Sequence, residues 1–130
     1  MDKGEIMKKE IVTQKAPGAI GPYSQGINLG DLIITSGQLP IDPETKEMPE
    51  DIKEQTRISL SNVKGILEEA GSSLDKVVKA TVYLADINDF AAMNEVYGEF
   101  FKAPFPARSA FEVAKLPLGA KVEIEVIAGK

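Results

Sequence analysis

One amphipathic pattern in the middle of the chain constrains the fold more than any other feature of the sequence. Apolar or small side chains recur there at steps of three and four residues: Ile52, Thr56, Leu60, Val63, Leu67 and Ala70. This spacing places them on one face of an α-helix. Pro49 is tolerated near the start of such a helix, and Gly71 is a typical residue at its end. A helix with one apolar face must bury that face against a second layer of structure.

The rest of the chain supplies a second helix and several strands for that layer. The second helix is predicted to begin near Asp86 or Asn88, either of which can cap it. Its apolar stripe consists of Phe90, Met93, Tyr97, Phe100 and Phe101. Short β-branched or apolar runs predict strands over residues 11–13, 32–37, 77–84, 107–113 and 121–127. Gly and Pro in residues 16–26 favour an ordered loop, and residues 42–46 favour a turn.

The last predicted strand shows how the layers are arranged. Its apolar residues Val122, Ile124 and Val126 alternate with Lys121, Glu123 and Glu125, so the two sets point to opposite faces of a sheet. Two helices cover only one face of a small sheet. We therefore expect an α+β fold: a mixed β-sheet with two helices packed on one face, the other face meeting solvent or other subunits.

Length and charge are those of one globular domain. The chain has 130 residues, 43% of them hydrophobic, and a net charge of −5. We expect a single domain over residues 11–130, preceded by a polar extension over residues 1–10, in which Met7 is an alternative start. The first ten residues have no apolar segment of a secretory signal, which favours a cytoplasmic protein.

The sequence contains no cysteine and no histidine. Disulfides, thiolate nucleophiles, Cys or His zinc sites and His-based triads are therefore excluded. Any chemistry must use Arg, Lys, Asp, Glu, Tyr, Ser, Thr, amide groups or bound water.

Arginine is rare in this chain, and one arginine stands in an apolar run. Only two of the 15 basic residues are arginines, Arg57 and Arg108. Arg57 is typical of a helix surface, whereas Arg108 suits bidentate binding of a small carboxylate. Two interpretations of Arg108 stay open, because it could equally form a structural ion pair with Glu112 or Glu123. Taken singly, Glu123, Tyr23 and Ser36 favour structural roles over chemistry, so the residues alone lead no further than a carboxylate-binding pocket.

Four motifs of the sequence, in this order, resemble the RidA/YjgF family of reactive intermediate deaminases. They are Ile20-Gly-Pro-Tyr-Ser-Gln25, Thr35-Ser-Gly-Gln-Leu-Pro-Ile-Asp42, Pro106-Ala-Arg-Ser109 and Leu116-Pro-Leu-Gly-Ala-Lys-Val-Glu-Ile-Glu125. The resemblance extends over the chain from about Ile11 onward. Because Arg108 and Glu123 are both present, the chain is most similar to the RidA subgroup.

The resemblance implies a chorismate-mutase-like α+β fold assembled as a homotrimer. The sheets would pack toward the three-fold axis, and three ligand clefts would lie between neighbouring subunits. The implied activity is hydrolysis of 2-imino acids, such as 2-iminobutanoate and 2-iminopropanoate, to 2-keto acids and ammonia. Pyridoxal-phosphate enzymes release these imines, and their removal protects other such enzymes from damage. No metal and no organic cofactor is implied.

The resemblance also implies roles for individual residues. Arg108 would clamp the substrate carboxylate, and Glu123 would hold and polarise the attacking water. Backbone groups of Gly37 and Ala110 would complete the hydrogen bonds to the ligand. The cleft would be lined by Tyr23, Ser36 and Asn94, in part from the adjacent subunit. Many relatives carry cysteine in place of Ala110, and alanine serves equally if only the backbone amide is used.

Two other functions are compatible with such a pocket. A non-catalytic sensor of 2-keto acids or amino acids needs the same arginine, although it gains little from a glutamate beside an anionic ligand. An endoribonuclease or translation inhibitor, as some relatives are described, would benefit from histidine and a basic surface. The sequence offers no histidine and a negative net charge, so we expect no nucleic-acid partner.

Overall fold

In a computed structural model that describes residues 7–130, a single six-stranded sheet carries two α-helices on one of its faces. The strands are β1 (Lys9–Ile11), β2 (Gly26–Asn28), β3 (Leu32–Thr35), β4 (Val77–Leu84), β5 (Ala107–Glu112) and β6 (Val122–Gly129). The helices are α1 (Ile52–Glu69) and α2 (Phe90–Phe100). No helix within residues 7–130 has the length and apolar character needed to cross a membrane.

The sheet is mixed, which confirms the predicted fold class. Its strand order is β1-β2-β3-β6-β4-β5. Only β4 and β5 pair in parallel within the described residues, and the remaining neighbours are antiparallel. The parallel pair requires a crossover connection, which α2 provides. Strand β5, which carries Arg108, therefore lies at one edge of the sheet next to α2.

The core lies between the helices and one face of the sheet. Leu60 and Val63 of α1, Val82 of β4 and Ile124 of β6 are completely buried there. Strand β6 alternates as predicted, since Val122, Ile124 and Val126 are buried whereas Glu123, Glu125 and Ile127 are only partly buried on the opposite face. The expectation that two helices cover one face of the sheet is thus confirmed.

The opposite face, which we call the open face, keeps apolar side chains exposed. Leu32 and Ile34 of β3 are each 39% exposed, and Phe111 of β5 is 44% exposed. Tyr83 packs edge-to-face on Phe111 across this face, with the ring centroids 5.5 Å apart. Exposed apolar side chains gathered on one sheet face are typical of a protein contact surface.

Most element bounds follow the sequence, with three corrections. Strand β1 covers Lys9–Ile11 and not residues 11–13, because the side chain of Gln25 forms hydrogen bonds with the backbone N–H and C=O of Thr13. The Thr13 amide donates to Gln25 Oε1 (2.8 Å), and Gln25 Nε2 donates to the Thr13 carbonyl (3.0 Å). Strand β2 was not placed by the sequence, since residues 16–26 have the composition of a loop up to Gly26. Its three residues are defined by their pairing with β1 and β3.

The third correction concerns the start of α2. Asp86 caps a 3₁₀ turn over Ile87–Asp89, accepting a hydrogen bond from the Asn88 amide (2.9 Å). The α-helix itself begins at Phe90. The predicted capping residue is therefore present, but it caps a short turn that leads into the helix.

Candidate functional site

Arg108 is held by an amide and two aromatic rings. Its Nη1 donates to Oδ1 of Asn94 (2.7 Å). Its guanidinium carbon lies 4.6 Å from the ring centroid of Tyr97 and 5.5 Å from that of Phe90, both within the range of cation–π attraction. The Asn94, Tyr97 and Phe90 side chains come from one face of α2, at helical steps of three and four residues.

The two arginines of the chain have different surroundings. Arg57 on α1 pairs with Glu54 (2.6 Å) and with Glu99 of α2 (3.2 Å), which confirms its prediction as a helix-surface residue. The ion pairs formed within residues 7–130 do not include Arg108. Glu112, one suggested partner of Arg108, instead accepts a hydrogen bond from the Ile87 amide (2.9 Å).

The structural ion-pair interpretation of Arg108 is therefore wrong for the described part of this chain. Of its five N–H donors, one is occupied by Asn94. The remaining donors and the full positive charge are available to an anionic ligand. A planar guanidinium in this state is suited to two parallel hydrogen bonds with a carboxylate.

The Arg108 side chain borders a cleft of about 410 Å³. Its other lining residues are Asn94, Tyr97, Gly98, Phe105 and Pro106. Phe105 is 61% exposed at its rim. The cleft thus combines one cation with apolar walls, as small-molecule sites commonly do. A larger open groove of about 1260 Å³, beside residues 12–18, contains none of the predicted site residues.

Ala110 lies two residues beyond Arg108 on β5 and on the same face of the sheet. It is partly buried and packs against the core. In the parallel ladder Arg108 stands opposite Ala80 and Ala110 opposite Val82, two fully buried residues beneath the helices. The structure thus brings Arg108, Asn94 and Ala110 together at one edge of the helix-covered face.

Glu123 lies against a glycine on the open face. A Cβ atom added to Gly37 would come within 2.6 Å of Glu123 Oε2, a distance that real side chains do not tolerate. Glycine at position 37 lets the carboxylate lie against the backbone, and a larger residue there would displace the end of the Glu123 side chain. Burial raises the pKa of the Glu123 carboxyl above its usual value, and the nearby charge of Glu125 raises this pKa further. Glu125 itself accepts a hydrogen bond from the Tyr83 hydroxyl (3.0 Å).

Tyr23 lies in the loop before β2, and Ser36 lies between the end of β3 and Gly37. Tyr23 is 50% exposed and lines a small cleft of about 90 Å³ together with Gly37 and Leu118. The Ser36 hydroxyl donates to the Ser24 carbonyl, so it fastens the loop to the end of β3. Its oxygen retains lone pairs as acceptors for a ligand. Tyr23, Ser36, Gly37 and Glu123 form a second group of predicted site residues.

The two groups lie on opposite faces of the sheet of one chain. Arg108 pairs with Ala80, and Glu123 pairs with Tyr83. Ala80 and Tyr83 are three residues apart on β4, so their side chains point to opposite faces. Arg108 therefore lies on the helix-covered face and Glu123 on the open face. A single chain does not bring the cation and the carboxylate to one ligand.

Two residues beside Arg108 were not predicted as part of a site. Phe90 and Tyr97 were assigned only to the apolar stripe of the second helix, a pattern that indicates burial and gives no sign of a cation. The spacing of Asn94 and Tyr97, three residues apart on a helix, was the available signal. It becomes informative only once β5 is known to place Arg108 against α2.

The chain is similar to known proteins over nearly its whole length. Residues 13–130 match the protein family described as Endoribonuclease L-PSP. The 2-iminobutanoate/2-iminopropanoate deaminase of Escherichia coli K12 is 54% identical over 125 residues, which cover 94% of this chain and 98% of that protein. A RutC family protein of Pyrococcus abyssi is 58% identical over 126 residues, covering 95% and 99%. The crystal structure of E. coli TdcF with bound serine is similar at a TM-score of 0.91 and 52% identity, covering 94% and 98%.

Proposed function

Because this chain belongs to the RidA/YjgF family, we propose that it is an imine deaminase that hydrolyses 2-imino acids to 2-keto acids and ammonia. The substrates we assign are 2-iminobutanoate and 2-iminopropanoate, after the relative of that name at 54% identity. The imines would arise from pyridoxal-phosphate enzymes in the cytoplasm, and their removal would limit damage to other such enzymes. The proposed reaction uses neither a metal nor an organic cofactor.

The observation that carries this proposal is the state of Arg108. Its charge is unopposed by any ion pair within residues 7–130, and its guanidinium is already fixed by Asn94 and Tyr97. A 2-imino acid presents a carboxylate next to the reacting carbon. Binding that carboxylate to Arg108 fixes the position of the imine carbon as well.

Glu123 is the proposed acceptor for the proton of the attacking water. In its ionised form the carboxylate orients a water whose oxygen bonds to the imine carbon, giving a tetrahedral carbinolamine. Glu123 takes one proton from that water and returns it to the nitrogen. As the C–N bond breaks and ammonia leaves, the carbinolamine hydroxyl gives its remaining proton to Glu123 and becomes the carbonyl, and that proton then passes to the released ammonia. In the single chain burial raises the pKa of Glu123, whereas the guanidinium of a neighbouring Arg108 would lower it in the assembled cleft, so we assign Glu123 the positioning of the water as well as the role of base. A protonated imine is a strong electrophile, so modest catalysis suffices.

We propose a homotrimer whose clefts join the two groups of residues from neighbouring chains. Arg108, Asn94 and Ala110 would come from one chain, and Tyr23, Ser36, Gly37 and Glu123 from the next. The support is geometric, because the two groups lie on opposite faces of the sheet in one chain. The exposed apolar residues Leu32, Ile34 and Phe111 provide a surface for the contact. Backbone groups of Gly37 and Ala110 would complete the binding of the ligand.

Two other functions are less favoured by the same features. RNA cleavage is named in the family's description, but a net charge of −5 and the lack of histidine argue against it. A carboxylate sensor would use Arg108 alone. It does not account for a half-buried glutamate pressed against Gly37, whose ionised form is disfavoured by burial.

A coupled assay tests the deaminase. Threonine dehydratase generates 2-iminobutanoate while semicarbazide traps the imine that remains. The wild type should suppress formation of the adduct, and Arg108→Ala should lower kcat/KM at least about 30-fold, since truncating one partner of a charged pair costs about 2–5 kcal/mol. Glu123→Ala should lower it by about 10²–10⁴-fold.

Arg57→Ala is the matched control, because it removes the chain's other arginine from a helix surface. It should retain the activity of the wild type. Should the wild type behave like buffer with both imino acids, the deaminase assignment is wrong. Binding of 2-oxobutanoate without turnover would then favour the sensor.

A further inference from the structure

The structure offers an explanation for one buried tyrosine that the sequence assigned only to the core. Tyr97 is 5% exposed, and its hydroxyl has no hydrogen-bond partner within residues 7–130. A buried hydroxyl without a partner costs free energy and adds no hydrogen bond, so a role of this side chain beside Arg108 falls to its ring. The ring of Tyr97 lies at the floor of the cleft, beneath the guanidinium of Arg108.

We infer that Tyr97 is a positioning residue for Arg108, acting through the face of its ring and not through its hydroxyl. This inference rests on the proposed function, because it concerns the arginine that would clamp the substrate. Phe90 assists from 5.5 Å, and Asn94 fixes one edge of the guanidinium. Asn94 occupies one N–H donor of the guanidinium, and the other donors remain beside the cleft that Arg108 borders.

Arg108 needs such a support because of where it stands. It extends from β5, an edge strand of the sheet, and an arginine side chain loses rotamer entropy when it is immobilised. A carboxylate that had to order the side chain would bind more weakly. The ring and the amide meet part of this cost before the ligand arrives.

The protonation state of Tyr97 suits this role. We call the ring face that contacts the Arg108 guanidinium the platform. Burial raises the pKa of its hydroxyl, while the charge of Arg108 acts in the opposite direction. The hydroxyl therefore stays neutral near pH 7, and the attraction to Arg108 is that of a cation to an aromatic face. Loss of the hydroxyl removes an unpaired polar atom and leaves the ring face unchanged.

Phe101 provides a matched control. Its ring packs on that of Tyr97 with the centroids 4.6 Å apart, and it is 6% exposed. Its ring is not among the two that contact Arg108 within residues 7–130. Replacing Phe101 with leucine disturbs the same part of the core without removing the platform.

The experiment compares Tyr97→Phe, Tyr97→Leu and Phe101→Leu in two measurements. The first is the kinetics of 2-iminobutanoate hydrolysis, with KM and kcat determined separately. The second is the affinity for 2-oxobutanoate by calorimetry, which requires no turnover. Tyr97→Leu should raise KM and the Kd by about 2- to 30-fold, the equivalent of 0.5–2 kcal/mol of cation–π energy. Its kcat should change less, because the carboxylate is bound alike in the ground and transition states.

Tyr97→Phe should restore KM and Kd to within about twofold of the wild type, and Phe101→Leu should lower Tm while leaving both constants in place. Equal losses in Tyr97→Phe and Tyr97→Leu would overturn the inference, because the hydroxyl would then be the active group. A Phe101→Leu defect as large as that of Tyr97→Leu would also overturn it, in favour of a loosened core.

The same measurements keep this inference apart from the proposed function. Turnover by the wild type that is indifferent to all three substitutions leaves the deaminase standing and refutes the platform. Binding of 2-oxobutanoate that weakens only in Tyr97→Leu, without turnover by the wild type, supports the platform and refutes the deaminase.

Discussion

The two faces of the sheet are built on different principles. On the helix-covered face, Ile33, Leu60, Val82 and Ile124 are completely buried by the chain itself. On the open face, Ile34 and Phe111 stay exposed beside Glu123, a carboxyl whose pKa is raised by burial. The helix-covered face, which we also call the finished face, is buried within a single chain. The open face has the composition of a surface that contacts a partner.

The position of Arg108 links the two faces. It lies at the edge of the finished face, where Asn94 and Tyr97 of α2 contact it. Glu123 lies on the open face, close to the backbone of Gly37. The fold thus positions the cation within one chain, and in the proposed trimer the cation and the carboxylate would meet between neighbouring chains.

The largest effect is expected from combining two impaired variants. Arg108→Ala and Glu123→Ala should each keep about one thirtieth of the wild-type kcat/KM or less as pure proteins. Co-expressed in equal amounts, they should assemble at random, and about one quarter of the clefts between subunits should then combine an intact Arg108 with an intact Glu123. Activity of the purified mixture should therefore recover to about a quarter of the wild type.

The control for this experiment is to combine the two variants after separate purification, under conditions in which subunits do not exchange. No activity above that of the single variants should appear in that sample. If the co-expressed protein is no more active than the single variants, both residues belong to a site within one chain.

Two substitutions of buried and exposed residues should separate stability from assembly. Leu60→Ala removes a completely buried side chain from the finished face and should lower the free energy of unfolding by about 2–5 kcal/mol. Ile34→Glu alters a residue that is 39% exposed on the open face, and it should cost the fold of one chain about 1 kcal/mol or less.

The effects of the two substitutions on the oligomeric state should have the opposite order. Ile34→Glu should sediment as a folded single chain without deaminase activity, because it places charge in the proposed interface. Leu60→Ala should keep the assembly in its folded fraction. A trimeric Ile34→Glu protein with full activity would show that the open face is not where the subunits meet.

The sequence predicts the finished face better than the open one, for physical reasons. The periodicity of α1 and the alternation of β6 are local patterns. All three apolar residues predicted in β6 are buried, and so are four of the six in the α1 stripe. Ile52 and Ala70 are only partly buried, and the pattern missed the completely buried Ile66. Arg108 stood out because arginine is rare in the chain. Its platform did not, because an aromatic stripe on a helix has the same pattern whether it meets core or cation.

The remaining features depend on contacts between distant segments. Gly37 and Glu123 are adjacent because Gln38 forms a bridge with Ile124 of β6. The short strand β2 exists through pairing with β1 and β3, and three residues carry no periodicity of their own. Neither contact leaves a trace in the local sequence. Only the resemblance to a known family indicated that Gly37 and Glu123 belong to one site.

The smallest effect concerns the pH dependence of stability at Glu123. In the folded chain burial raises the pKa of this carboxyl, with a further contribution from Glu125 on the same strand. Tyr83 of β4 also faces this region, and it donates its hydroxyl to Glu125. Between the unfolded and the raised folded pKa, the folded state binds more protons than the unfolded state. Its stability therefore falls as pH rises through this window.

Glu123→Gln removes this ionisation, so the variant should be more stable than the wild type above the window. Below the pKa of an unfolded glutamate the two proteins should converge, because Glu123 is then neutral in both states. The measurement is Tm against pH from about 4 to about 8 in the Ile34→Glu background, where the chain is expected to be alone. Glu125→Gln serves as the control and should narrow the window, since it removes the secondary cause. Parallel curves for the single chains with and without the Glu123→Gln substitution would mean that burial on the open face leaves the pKa of this carboxyl unperturbed.

In the assembled protein the neighbour's guanidinium should lower the pKa of Glu123. A pH window that narrows on assembly would therefore place Arg108 of one chain beside Glu123 of another.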